Sequence, residues 1–167
     1  MKGIITGPNE IPIQVDPLIH FEDKLVGGDL TADGVQYTAE ITTATANVDV
    51  VAHSKTIDPL IEGTILAIEF QLDVELKAVS TATADLIWKW QARNKDGLTW
   101  VDLHSAVTET NIGTTYQLRS RSGFFTPAAD FQLVPFDVRL ILQCNEATQG
   151  RAKVKNSSFV RVVYKTT

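Results

Sequence analysis

Apolar and polar residues alternate most regularly in three stretches of this chain. Phe70, Leu72, Val74 and Leu76 alternate with Glu69, Gln71, Asp73, Glu75 and Lys77. Leu86, Trp88, Trp90 and Ala92 alternate with Asp85, Lys89, Gln91 and Arg93, and Phe136, Val138, Leu140, Leu142 and Cys144 with Asp137, Arg139, Gln143 and Asn145. A period of two places successive side chains on opposite faces of a sheet, so each stretch predicts a strand with one buried and one wet face. The wet face of the first strand is acidic and that of the second basic, and opposite charges on neighbouring strands attract. These two strands are therefore expected to pair, with 81–84 as their connection.

Weaker patterns add strands over Ile11–Val15, Val35–Ile41, Leu98–Leu103, Thr114–Arg119 and Ser158–Tyr164. Asn94-Lys95-Asp96-Gly97 is the strongest hairpin signal, because Asn and Asp bond their own backbone and Gly takes positive φ without steric cost. Gly123, Pro127 and Pro135 bracket a stretch expected to be a loop, carrying Phe124, Phe125 and Phe131. Thr42 to Ala46 offers little to a core and is expected to be an exposed loop or an edge segment docked on a neighbour. No dozen residues keep helical spacing free of Gly, Pro and β-branched runs. Seven to nine short strands separated by turn signals predict an all-β fold, an antiparallel two-sheet sandwich or jelly roll.

Residues 1–60 differ from the rest, their apolar residues broken up by Pro8, Pro12, Pro17, Gly27, Gly28, Gly34 and Pro59. They read as an extended N-terminal arm or set of edge strands, either separate from or part of the same domain, ahead of a β-sandwich at 61–167. At 167 residues the chain is long enough for an ordinary core without disulfides or metal. Cys144, the single cysteine, excludes an intramolecular disulfide and falls at an apolar position, as a buried structural thiol.

Fifteen Lys and Arg against 20 Asp and Glu give a net charge of −5, which disfavours nucleic acid as a partner. The C-terminal cluster Arg151, Lys153, Lys155, Arg161 and Lys165 reads as a solvated strand face. The first residues contain no unbroken apolar run of secretory length and no stretch is long and apolar enough for a membrane helix, so neither secretion nor membrane insertion is expected.

Residues with chemical potential are scattered. His20, His53 and His104 have no close ligand partner in sequence, and Asp29 to Gly34 lacks the alternating ligands and late Glu of a calcium loop, so a turn is expected there. Asp102, His104 and Ser105 supply the residue types of a nucleophilic triad, but one strand would not bring them to a point. Phosphate-loop, dinucleotide and nucleophile-elbow motifs are absent from the sequence, so neither cofactor nor enzymatic activity is expected. Trp88 and Trp90 share the apolar face of their strand and belong to the core. Trp100 competes with Val101 and Leu103 for the inner face, which makes it, with Phe124, Phe125 and Phe131, a candidate contact for a ligand or partner.

The segment Trp90-Gln91-Ala92-Arg93-Asn94-Lys95-Asp96-Gly97-Leu98-Thr99-Trp100 resembles the strand, Asp-Gly turn and Trp pattern of many β-sandwich modules, including discoidin-like binding domains and structural proteins of tailed phages. This resemblance, with the interrupted N-terminal region and the lack of active-site motifs, implies a non-enzymatic virion component of head-decoration or tail type. Such a protein is expected to form homo-oligomers, to meet other particle proteins through its N-terminal segment and strand edges, and to reside in the virion, or in the cytoplasm if it is not phage-derived. The alternative is a carbohydrate-binding β-sandwich module with a glycan as partner.

Overall fold

The structure is a computed structural model and describes residues 3–5, 13–15, 18–26, 38, 40–59, 63–80, 83–95, 97–128 and 133–166. In chain order the strands are β1 Gly3–Ile5, β2 Ile13–Val15, β3 Ile19–Lys24, β4 Ile41–Thr42, β5 Val50–Ile57, β6 Gly63–Ala78 and β7 Leu86–Asn94. They continue with β8 Val101–Asp102, β9 Val107–Glu109, β10 Gln117–Phe125, β11 Leu133–Val134, β12 Phe136–Cys144, β13 Gly150–Val154 and β14 Phe159–Thr166. No helix occurs among the described residues. All pairings are antiparallel, and β1 and β2 form a two-stranded ribbon of their own. The turn expected at Asp29 to Gly34 and most of the strand expected at Val35–Ile41 lie outside the described residues, as do Phe131 and the first two residues of the connection at 81–84.

The sandwich consists of a seven-stranded and a five-stranded sheet. β6, 16 residues long, is the spine of the first. One of its flanks pairs β14 and then β13, the other β11 and then β10. Strand β3 extends the sheet beyond β14, and β4 beyond β13. In the second sheet β12 is central, with β5 on one side and β7 on the other, and β7 carries β8 and β9 on its far edge.

The alternation seen in the sequence puts the inner faces where a core needs them. Phe70, Leu72, Val74 and Leu76 from β6, Leu86, Trp88, Trp90 and Ala92 from β7, and Phe136, Val138, Leu140, Leu142 and Cys144 from β12 are all buried in one cluster. The expected pairing of the first two strands is not found, because β6 and β7 belong to different sheets. The chain crosses between layers after Ala78, so both apolar faces turn inward. Each wet face finds its counter-charges within its own sheet. Glu69 on β6 meets Arg161 at 2.6 Å and Glu75 meets Lys153 at 3.1 Å, while on the other sheet Lys89 meets Asp102 at 3.1 Å and Arg93 meets Asp137 at 3.2 Å.

Two local expectations are also revised and a third is resolved. The stretch read as a loop around Gly123 to Phe125 is the end of β10. Gly123 does not break that strand. It allows a close approach, since a Cβ there would sit 3.3 Å from the Phe70 ring. The strand expected from Thr114 starts only at Gln117, after a turn in which Asn111 and Gly113 take positive φ. Finally, of the two alternatives for Thr42 to Ala46, the docked edge holds for its first residues and the exposed loop for those that follow. Thr42 pairs with Arg151, and buried Thr43 exchanges backbone and hydroxyl hydrogen bonds with Gly150 at 3.0 Å, leaving Ala44 and Thr45 exposed. The hairpin at Asn94 is present, with the Gly97 N–H donating to the Asn94 carbonyl at 2.9 Å, but its return strand shrinks to Val101–Asp102.

Candidate functional site

The hairpin after β7 holds Trp100 over the outer face of the five-stranded sheet. Arg93 from β7 and Arg139 from β12 occupy outward positions on neighbouring strands, and the register, which pairs Arg93 with Asp137 and Arg139 with Gln91, makes them diagonal neighbours across the Val138–Ala92 pair. Their guanidinium carbons lie 4.5 Å and 3.9 Å from the Trp100 ring centroid, the geometry of cation–π contact. Val51, Ser54, Lys55 and Thr56 of β5 and Asp137 of β12 complete a groove of about 360 Å³. The sequence marked Trp100 alone here. Arg93 and Arg139 were concealed among ordinary wet-face residues, and the signal that would have found them is their shared parity on two strands that pair.

The cations of the groove are partnered unequally. Arg93 donates to Asp137 at 3.2 Å and to the Gly97 carbonyl at 2.9 Å, and the Thr56 hydroxyl donates to the other Asp137 oxygen at 2.7 Å. Lys55 turns away to Asp23, 2.7 Å distant, and to the Lys24 carbonyl. Arg139 donates from Nε to the neutral Gln91 amide oxygen at 2.9 Å and makes no ion pair among the described residues. Burial, and then the neighbouring charge of Arg93, pushes the Arg139 guanidinium below its usual pKa, while Asp49 acts weakly the other way.

A second feature is the free edge of β10. Among the described residues β10 pairs with β6 alone. The carbonyls of Leu118 and Ser120 accept from the Arg119 and Arg121 side chains at 3.0 Å and 3.3 Å instead of from another strand. Leu118 and Phe124 are 46% and 78% exposed, whereas Phe125 packs against the core. Of the aromatic residues singled out in this part of the sequence, then, Phe124 is open to a partner and Phe125 serves packing.

Asp102, His104 and Ser105 form no catalytic relay. The Trp90 N–H donates to His104 Nε2 at 3.2 Å, so the proton sits on Nδ1, which lies 2.8 Å from the Ser105 carbonyl. Asp102 is held by Gln91 and Lys89. Trp88 and Trp90 are core residues, as expected, and Cys144 is buried. In the C-terminal basic cluster, Arg151 pairs with Glu40, Lys153 with Glu75, and Arg161 with Glu22 and Glu69, so these charges are largely neutralised locally. No group of three or more His, Cys, Asp or Glu side chains is gathered at metal-binding distances among the described residues.

No protein-family model matches the chain, and no curated protein matches it. Its fold resembles part of solved structures of a virus and of particles derived from it. A structure of infectious bursal disease virus, Gt strain, superposes with a TM-score of 0.52 at 9% identity, over 96% of this chain and 37% of that one. A structure of T=1 particles derived from infectious bursal virus gives 0.51 at 10% identity, over 96% and 36%. The xylan-binding module CBM15 aligns over 92% of this chain and all of its own, but with a TM-score of 0.39 and 12% identity it carries no argument. This chain thus spans a little over a third of the viral proteins whose fold it shares.

Proposed function

We propose that this protein is a non-enzymatic structural subunit of a multi-subunit particle, a virion component, and that neighbouring subunits engage it along β10. The observation that carries this reading is the nine-residue edge of β10, which no strand pairs on the flank away from β6 among the described residues, with Leu118 and Phe124 exposed beside it. An unpaired edge offers backbone donors and acceptors to an added strand, and exposed apolar side chains give that strand something to bury. The arginine side chains over the Leu118 and Ser120 carbonyls guard the edge in the isolated subunit and are displaced on assembly. The N-terminal ribbon of β1 and β2, which joins neither large sheet, is the second assembly element. The fold, which resembles part of those viral structures, suits such a role, and a head-decoration or tail protein of a tailed phage is the form the sequence favours.

Light scattering across a range of concentrations, alone and with purified capsids or tails, tests this reading. Self-association or particle binding that is lost in Phe124→Asp and in Ser122→Pro, which removes an edge N–H, is the expected result. A wild-type protein that stays monomeric and binds no particle component overturns it.

The groove under Trp100 favours a second reading, a carbohydrate-binding module. Binding of a glycan that is lost in Trp100→Ala supports it, and unaltered binding removes Trp100 as the contact.

A further inference from the structure

We propose that the Trp100 groove seats an oxyanion, the carboxylate or sulfate of an acidic saccharide, between the guanidinium groups of Arg139 and Arg93. This inference rests on the ligand-binding reading of the groove and deepens it by naming the ligand's chemistry.

Three features of the groove lead there. First, its anionic side chain is already engaged, with Asp137 accepting from Arg93 on one oxygen and from Thr56 on the other. Among the described residues Arg139 makes no ion pair: its Nε donates to the neutral Gln91 amide, and Asp49 acts on its charge without a direct contact. Second, the guanidinium carbons of Arg93 and Arg139 lie 4.5 Å and 3.9 Å from the centroid of one ring, that of Trp100, which holds two like charges near each other in a partly buried place. An arginine whose planar fork is held in this way is prepared for bidentate recognition of a carboxylate or sulfate and loses little freedom on binding. Third, Ser54 and Val51 line the same groove, a hydroxyl and an apolar surface of the kind a sugar ring meets. A neutral sugar would have to compete with the two guanidinium groups for the indole and would leave the Arg139 charge unanswered. An acidic sugar answers it.

The experiment is titration calorimetry of the full chain with the neutral, carboxylated and sulfated forms of one oligosaccharide, and with inorganic sulfate alone. The expected result is binding of an acidic form that weakens as salt is raised. It falls about ten- to hundredfold in Arg139→Gln, the span of a hydrogen-bonded charge, and less in Arg139→Lys. Trp100→Phe, which keeps a ring, should retain more of the affinity than Trp100→Ala. Unchanged melting temperatures and an unaltered Leu98→Ser control, at an exposed tip of the same hairpin, establish that the losses are local. Equal binding of neutral and acidic forms overturns this inference and leaves the glycan reading standing. Binding of none overturns both, and equally strong binding of inorganic sulfate overturns the saccharide part.

Discussion

The imidazole of His104 accepts the main-chain N–H of Trp90 at 3.2 Å, so a side chain takes the place of a ladder carbonyl just beyond β8, where the Leu103 N–H makes the last backbone bond to the Trp90 carbonyl at 2.9 Å. His104→Ala leaves the Trp90 N–H without a partner in the core and is expected to cost about 1–3 kcal/mol. Urea denaturation at neutral pH measures it.

The same contact makes stability depend on pH. Burial lowers the pKa of His104, and likewise that of His53, whose Nε2 lies 2.8 Å from the Leu25 carbonyl. Both groups bind protons more readily in the unfolded chain than in the folded one. Their contribution is therefore complete above about pH 6.5, the unperturbed value, and is lost as pH falls from there toward the lowered folded values. Urea midpoints should decline between pH 7.5 and 5, and the decline should be shallower in His104→Ala.

Asp73 gives a separate acid-sensitive element. Burial acts to raise its pKa, but hydrogen bonds from Ser120, Ser157 and Gln71 outweigh it, and the folded value lies below the usual one. These bonds join β6 to β10 and to the turn before β14. Stability from them is present above about pH 4 and disappears as pH falls through the folded value. Asp73→Ala should cost about 1–3 kcal/mol at neutral pH and flatten the acid limb of the stability profile.

Two glycines separate backbone from side-chain crowding. A Cβ at Gly63 would lie 2.3 Å from the Lys165 carbonyl oxygen, whereas at Gly123 it would meet only the Phe70 ring at 3.3 Å. Gly63→Ala should therefore lower the melting temperature well beyond Gly123→Ala. Equal shifts would contradict the register of β6 with β14.

Trp90 is fully buried, and its indole N–H has no hydrogen-bond partner among the described residues. Trp90→Ala opens a cavity and should cost about 3–5 kcal/mol. Trp90→Phe removes the orphaned donor along with part of the ring, and should cost distinctly less in the same denaturation assay.

What the sequence disclosed, and what it hid, follows from where each strand meets its partners. β6, β7 and β12 each have one dry and one wet face, so their alternation is plain. The alternation reaches only the first part of β10, the strand expected over Thr114–Arg119, because the positions on its core-facing parity include Arg119, held by Glu109 at 2.7 Å, and the exposed Arg121, which lies over Trp88. Polar residues thus fall on both of its faces and the period of two vanishes. Charge complementarity between β6 and β7 does not make them partners, because it names no unique partner. The acids of β6 are answered equally well by β13 and β14, which lie far along the chain. Trp100 was legible as a residue with divided loyalties, but the arginines that hold it depend on a register no local pattern reveals.

Strand β6 also governs how the chain reaches this fold. Leu76 pairs with Gln117 on one flank and with Ala152 on the other, and Phe70 pairs with Gly123 and Val160. The seven-stranded sheet can thus be completed only after the last third of the polypeptide has emerged and returned to a strand made in its first half. Topologies so dominated by distant pairings fold in roughly milliseconds to seconds, not microseconds. Until β13 and β14 arrive, that flank of β6 lacks its native partners, and during synthesis it is open to pairing with a strand of another copy.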